Sequence, residues 1–277
     1  MIVSEIISDR ERSKREDRFI YRKGNMTMMT EWEAVQKRIS CRSFEDRMID
    51  PDILQKLKEC IGQLNEESGL HFQLFSSDSK GRPAIKMAAV MFSGPVYTFA
   101  ALVGGEDPLS AEKVGYYGHR FVLYAEQLGL GTCWVAGTYD KKSITVDVPE
   151  GERIWDVIPM GYATEKIPLK QKTIRKMIRR SDRKPEQFLE SDTEYENAPD
   201  WIKKGIEAVL LGPSAVNQQP VNIIYRDGKV SAKIWKKGNG LEHNDLGIAK
   251  KQFEVGAAYA GVNGHFLPGD GAEFVID

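Results

Sequence analysis

The chain has 277 residues, 41% of them hydrophobic and 29% charged, which suits a globular protein with a proper core and excludes a disordered or collagen-like chain. Its 39 Lys+Arg balance 40 Asp+Glu to a net charge of -1, so the pull toward nucleic acid or an anionic membrane is missing. The longest apolar stretch, Met87 to Val103, is broken by Ser93-Gly94-Pro95 and falls short of the roughly 20 residues that a membrane helix needs.

The N-terminus turns highly charged by Asp9 and carries no apolar core segment, so no secretory signal is expected and the cytoplasm is the default. Cys41, Cys60 and Cys133 cannot all pair, and reduced thiols fit that compartment. Residues 1–29 alternate acids and bases with few apolar anchors and read as a charged extension outside the core.

Thr30 with Glu33 three residues on forms a capping box and opens the first helix, Glu31 to Lys37. Asp50-Pro51 opens a second, with Ile53, Leu54, Leu57, Ile61 and Leu64 on one face. Leu70 to Phe75 alternates like a strand, and Pro95 to Gly104 is an apolar run of strand length. Ser110 is the expected cap of a long helix with the stripe Val114, Tyr117, Phe121, Tyr124 and Leu128, stopped by Gly129. Thr132 to Val135 and Ile154 to Met160 read as further strands.

The same order of elements then recurs. Arg38-Ile39-Ser40-Cys41-Arg42 returns 141 positions on as Arg179-Arg180-Ser181-Asp182-Arg183. A helix to Ile61, Gly62 and the strand His71 to Phe75 return as a helix from Trp201 to Leu211, Gly212 and the strand Val221 to Tyr225. Val114, Gly115, Phe121 and Ala125 match Leu246, Gly247, Phe253 and Ala257, each 132 residues later. Two similar halves are therefore expected, residues 30–168 and 169–277, the second with an added Asp227-Gly228 hairpin.

Arg38, Ser40 and Arg42 occupy alternate positions beyond a helix, so an extended backbone turns two guanidinium groups and a hydroxyl to one side, where they suit a phosphate. Gly212 to Pro220 supplies backbone N–H groups, a hydroxyl and carboxamides able to read an uncharged heteroaromatic ring. Its first-half counterpart, Gly62 to Gly69, has no Pro-Ser and carries Glu66 and Glu67. The histidines, at 71, 119, 243 and 265, fall at no helical pair spacing, so no metal site is expected. Cys41 is read as packing, and neither a dinucleotide fingerprint nor a P-loop is present.

Three segments together resemble the FMN-dependent nitroreductases, and within them the group with two subunit-like halves fused in one chain. They are Arg38 to Phe44, with Ile39 where the family has a second Arg; Pro213 to Pro220; and Ala125 to Gly137 followed by Ile158 to Tyr162. The resemblance implies an α+β fold in which each half has a mixed or antiparallel sheet flanked by helices. It places FMN between the halves: Arg38, Ser40 and Arg42 hold phosphate and ribityl, while Pro213, Ser214 and Asn217 approach from the second half. The backbone at Ala136 and Gly137 would face the flavin ring, and Lys170 or Lys172 would add a phosphate-side cation.

On this reading the chain is an NAD(P)H oxidoreductase, with NADH or NADPH as co-substrate and a small nitroaromatic or quinone as acceptor. No side chain is expected to act as acid or base. One flavin per chain is expected, because the reverse pairing sets Arg179, Ser181 and Arg183 against Glu66 and Glu67, and because the second half lacks the Leu-Gly-Leu-Gly-x-x-Trp strand. The fused chain is expected to act as a monomer. A flavin-binding protein without turnover, and a scaffold without flavin, remain as alternatives at this point.

Overall fold

A computed structural model describes residues 28–164 and 183–277. Helix α1 (Glu31–Lys37) starts at the expected capping box, with Thr30 and Glu33 exchanging side-chain and backbone hydrogen bonds. Of the preceding segment only Met28 and Met29 are described, and Met29 packs onto the core, its carbonyl accepting from Gln127 Nε2.

Helix α2 (Pro51–Ser68) corrects the sequence reading. It runs through Gly62 and ends only at Gly69, whose φ of 71° is open to glycine at no steric penalty. Leu64 and Ser68 still face the core, and the Ser68 hydroxyl bonds back to the Leu64 carbonyl. The segment matched to the Gly212 loop is thus helix, not loop.

Strands β1 (Gln73–Ser76), β2 (Thr98–Gly105), β3 (Gly131–Thr132) and β4 (Glu152–Gly161) form an antiparallel sheet of order β1-β2-β4-β3. Helix α3 (Pro108–Gln127) separates β2 from β3. Its cap is Asp107, not Ser110: the Asp107 carboxylate takes the Leu109 and Ser110 amides, and Pro108 fills the first turn, where no amide is needed. One core fills the space between α2, α3 and one face of this sheet, and a second covers the opposite face.

After β5 (Leu189–Ser191) the second half lays down α4 (Asp200–Leu211), β6 (Val221–Arg226), β7 (Lys229–Ile234), α5 (Glu242–Tyr259), β8 (Gly264–Phe266) and β9 (Phe274–Ile276). Asp227 and Gly228, at φ 51° and 75°, make the expected two-residue hairpin between β6 and β7. β8 pairs with β9, and a bridge from Ser231 to Glu273 joins β9 to β7. The spatial order β6-β7-β9-β8 therefore repeats β1-β2-β4-β3, with β5 added in parallel at the β6 edge. The strand expected to be missing from the second half is present as β8, although Leu-Gly-Leu-Gly is absent there.

The two long helices also end alike. Gly129, at φ 82°, donates to Glu126, and Leu130 to Ala125. Gly261, at φ 89°, donates to Ala258, and Val262 to Ala257, each group 132 positions on. Helices α3 and α5 cross against each other, and beside them Trp32, Ala34, Val35, Leu123, Ala208 and Val255 form an apolar seam between the halves. Among the described residues no helix is long and apolar enough to cross a membrane.

Candidate functional site

Arg38 caps the C-terminus of α1, and the chain then runs extended beside β3, with Ser40 bridged in parallel to Thr132 and the Cys41 amide donating to the Thr132 carbonyl. Cys41 and Ser43 turn into the protein, which leaves Ser40 and Arg42 half-exposed on the other side. Arg38 is 6% exposed, and its Nη2 donates to the Leu211 carbonyl at 3.4 Å. A first-half arginine thereby touches the last residue of α4, immediately before the Gly212 to Pro220 loop.

Arg38, Ser40 and Arg42 each bear on the buried Cys133 thiol. Burial raises the Cys133 pKa, while Arg42, Arg38 and the Ser40 hydroxyl beside it pull it back. Cys41, two residues from Ser43, packs against Gly131 and its thiol donates to the Ser43 carbonyl. Burial holds the Arg38 guanidinium below its ordinary value against the opposing pull of Glu126. Arg38 Nε and Thr132 Oγ1 have no hydrogen-bond partner among the described residues.

The loop after α4 is the most strained backbone described. Among the described residues left-handed φ values occur at four non-glycine positions, and three of them, Val216 (42°), Asn217 (56°) and Gln219 (49°), lie here. Such geometry costs about 1–3 kcal/mol per residue and persists only where the surroundings enforce it. The enforcing bonds are visible. The Ala215 amide donates to the Asp245 carboxylate at 2.9 and 3.1 Å, and the Gln219 amide to the Ser214 hydroxyl at 2.9 Å. Gln219 Nε2 donates to the Gly212 carbonyl at 3.0 Å. Pro213, Ser214 and Asn217 are half-buried, and Val216 stands 72% exposed.

Asp245 was not singled out from sequence, although an acid in the first turn of a helix is a recognisable signal. It is 3% exposed, and burial lifts its pKa to about 7 against the Ala215 hydrogen bond. From the first half, Asp156 of β4 is also buried, its pKa raised well above the ordinary value by desolvation and then by Asp245. Asp156 Oδ2 has no partner among the described residues. The next residue, Val157, pairs with Val135, so Asp156 sits beside the bend that carries Ala136 and Gly137. Both of those are exposed, and a Cβ on Gly137 would meet nothing within 4 Å.

His119 of α3 and Gln252 of α5 meet behind the loop, Nε2 to Nε2 at 2.8 Å, with Gln252 against Gly212. Burial, with Arg38 and Lys251 adding to it, holds the His119 pKa well below its ordinary value, so the ring is neutral. Lys170, Lys172, Arg179 and Ser181 lie outside the described residues. Arg183 and Glu67 do not meet: Glu67 binds Arg120, and Arg183 bonds to the Gln219 carbonyl.

Comparison with known proteins agrees with this architecture. Residues 31–257 match the family model described as "Putative TM nitroreductase". A structure titled a putative nitroreductase from Thermotoga maritima is 19% identical with a TM-score of 0.59, and the alignment covers 92% of this chain and 97% of that one. An FMN-bound nitroreductase from Bacteroides fragilis is 17% identical with a TM-score of 0.39, covering 51% of this chain and 92% of its own. A nitroreductase family protein from Clostridium novyi is 20% identical with a TM-score of 0.39, covering 49% and 86%. Among curated proteins none matches. With most of its length matched by one family model, the chain belongs to the nitroreductase family.

Proposed function

We propose that this chain is an FMN-dependent oxidoreductase that uses NADH or NADPH to reduce a small acceptor such as a nitroaromatic or quinone. The observation that carries this reading is the approach of Arg38, at the end of α1, to Leu211, at the mouth of the strained second-half loop. It sets a cationic segment of one half beside a loop of the other that is rich in backbone and amide groups.

The residues fit FMN. Ser40 and Arg42 are half-exposed and bear on the Cys133 thiol, and Arg38 backs them with a buried Nε that has no hydrogen-bond partner among the described residues, a donor set suited to a phosphate and a polyol. Ser214 and Asn217 would approach the ring from the other side, and the open backbone at Ala136 and Gly137 would face its redox edge. Pro213, half-buried, opens that loop. Lys170 or Lys172 would add charge on the phosphate side. When bound, FMN would supply the acceptor of hydride from the nicotinamide and its donor to the second substrate.

Among the described residues the reverse pairing has no comparable loop, because α2 continues as helix to Ser68 where α4 gives way to the loop. We therefore read one flavin per chain, with residues 30–168 and 169–277 acting as the two subunits of an internal pseudo-dimer, a monomer in solution and cytoplasmic. The repeated sheet order and the matched helix ends support that division.

The test is an FMN titration of the purified chain, followed by anaerobic mixing with NADH and NADPH and then a nitroaromatic. One equivalent of flavin per chain, bleached by a pyridine nucleotide and recoloured by the acceptor, is expected. Bound flavin that no pyridine nucleotide reduces would make this a binding protein, and two equal sites would defeat the asymmetry.

A further inference from the structure

Arg183 stands 141 residues after Arg42, in the second copy of the arginine-serine-arginine segment, yet it does different work. Its Nη1 donates to the Gln219 carbonyl at 2.7 Å and to the Val221 carbonyl at 3.3 Å. Its Nη2 reaches the Gln187 carbonyl and Asn222 Oδ1. The guanidinium lies over the rings of Phe188, at 3.8 Å, and Trp235, at 4.6 Å. Trp235 Nε1 donates to the same Gln219 carbonyl at 3.1 Å.

Gln219 is the last of the three left-handed residues in the loop, so its carbonyl is where the strained path rejoins β6. At the other end the Asp245 carboxylate holds the Ala215 amide. Between these anchors no glycine relieves the turn. A planar group that donates to several carbonyls and lies over two rings is what arginine offers and lysine does not.

We propose that Arg183 is a positioning residue: with Trp235 it pins the Gln219 carbonyl and keeps the Ser214 to Gln219 turn in the shape that presents Asn217 to the bound flavin. The second-half arginine thus builds the single site of the first half instead of serving a site of its own. The part of this that concerns flavin rests on the function proposed above; the clamp on the loop stands without it.

Amide exchange in the flavin-free chain tests the clamp alone. In Arg183→Gln the amides of Ala215, Asn217, Gln218 and Gln219 are expected to exchange about tenfold faster than in the parent. FMN titration tests the consequence. If the loop keeps its binding shape a tenth of the time, the Kd for FMN rises about tenfold. Arg183→Lys should resemble the glutamine variant, because charge without the planar fork leaves most acceptors unmet.

Should Arg183→Gln fail to fold, Trp235→Phe removes one hydrogen bond and keeps a ring, and a smaller rise in loop exchange is expected. Loop exchange equal to the parent in the folded variants, with only the melting temperature lowered, would overturn the proposal. Faster loop exchange in a chain that binds no FMN even as the parent would instead overturn the proposed function and leave the clamp.

Discussion

Gly115 and Gly247 make reciprocal contacts at the crossing of α3 and α5. A Cβ on Gly115 would lie 1.9 Å from the Asn244 carbonyl oxygen, and one on Gly247 would lie 2.0 Å from the Glu112 carbonyl oxygen. Both members of one contact stand 132 residues from those of the other, the pattern an interface makes when the same patch faces itself. The helices approach this closely because neither carries a side chain at the crossing.

Gly115→Ala or Gly247→Ala should therefore be severe, since the clash is with backbone that cannot rotate away. A loss of about 3 kcal/mol or more is expected, at the upper end of overpacking penalties. Gly62→Ala is the control: it lies inside α2 with nothing within 4 Å, and helix propensity predicts a gain of about 0.5–1 kcal/mol. Chemical denaturation of the three variants checks both signs, and equal effects at positions 62 and 115 would contradict the close crossing.

What local chemistry decides could be read directly from the residues. Thr30 with Glu33, Gly129, and Asp227 with Gly228 each act within a few positions, and each does in the structure what its type predicts. Gly62 misled because an isolated glycine only weakens a helix, and the packing of Leu64 and Ser68 outweighs it. The loop-holding roles of Arg183 and Asp245 were not legible in the sequence for the opposite reason. Their roles come from partners 36 and 30 residues away, and no spacing rule links them to the loop.

Asp245 carries a pH signature whose sign follows from its raised pKa. A folded-state value near 7, against the ordinary 3.8, means that the folded protein holds this proton more tightly than the unfolded chain. Its contribution is thus full below the unfolded value and lost as pH rises toward 7. Asp245→Asn keeps an oxygen for the Ala215 amide and cannot ionise, so its stability relative to the parent should rise between about pH 4 and pH 7, then level. His119, neutral and buried, works the other way, weakening the fold as pH drops below its ordinary 6.5. The difference between variant and parent, measured by thermal unfolding across that range, cancels the His119 contribution and reports Asp245 together with its coupling to Asp156.

The buried Lys250 joins the halves through α5. Its Nζ meets Glu112 Oε1 at 2.5 Å and donates to the Leu267 and Gly269 carbonyls at 2.9 and 2.8 Å. The Gly269 amide donates to Glu112 in turn. Lys250→Met would strand the carboxylate in the interior, a change that costs about 3–5 kcal/mol where such pairs have been broken. The double variant Lys250→Met, Glu112→Leu should recover part of that loss, because no charge is left buried. A double variant worse than the sum of its singles would show that the pair is not the source of the effect.

Arg42 separates charge from packing at the candidate site. It is half-exposed beside Ser40, unlike the buried Arg38, so its replacement should leave the fold standing. A charge-assisted hydrogen bond of about 1.5–3 kcal/mol corresponds to roughly 10- to 150-fold in affinity. Arg42→Gln is accordingly expected to weaken FMN binding within that range and to steepen its loss in salt less than the parent does. Riboflavin, which has the ring and ribityl chain but no phosphate, should bind parent and variant alike. If Arg42→Gln weakened riboflavin as much as FMN, the arginine would be shaping the pocket and not meeting a phosphate, and the phosphate end would have to be sought elsewhere around Cys133.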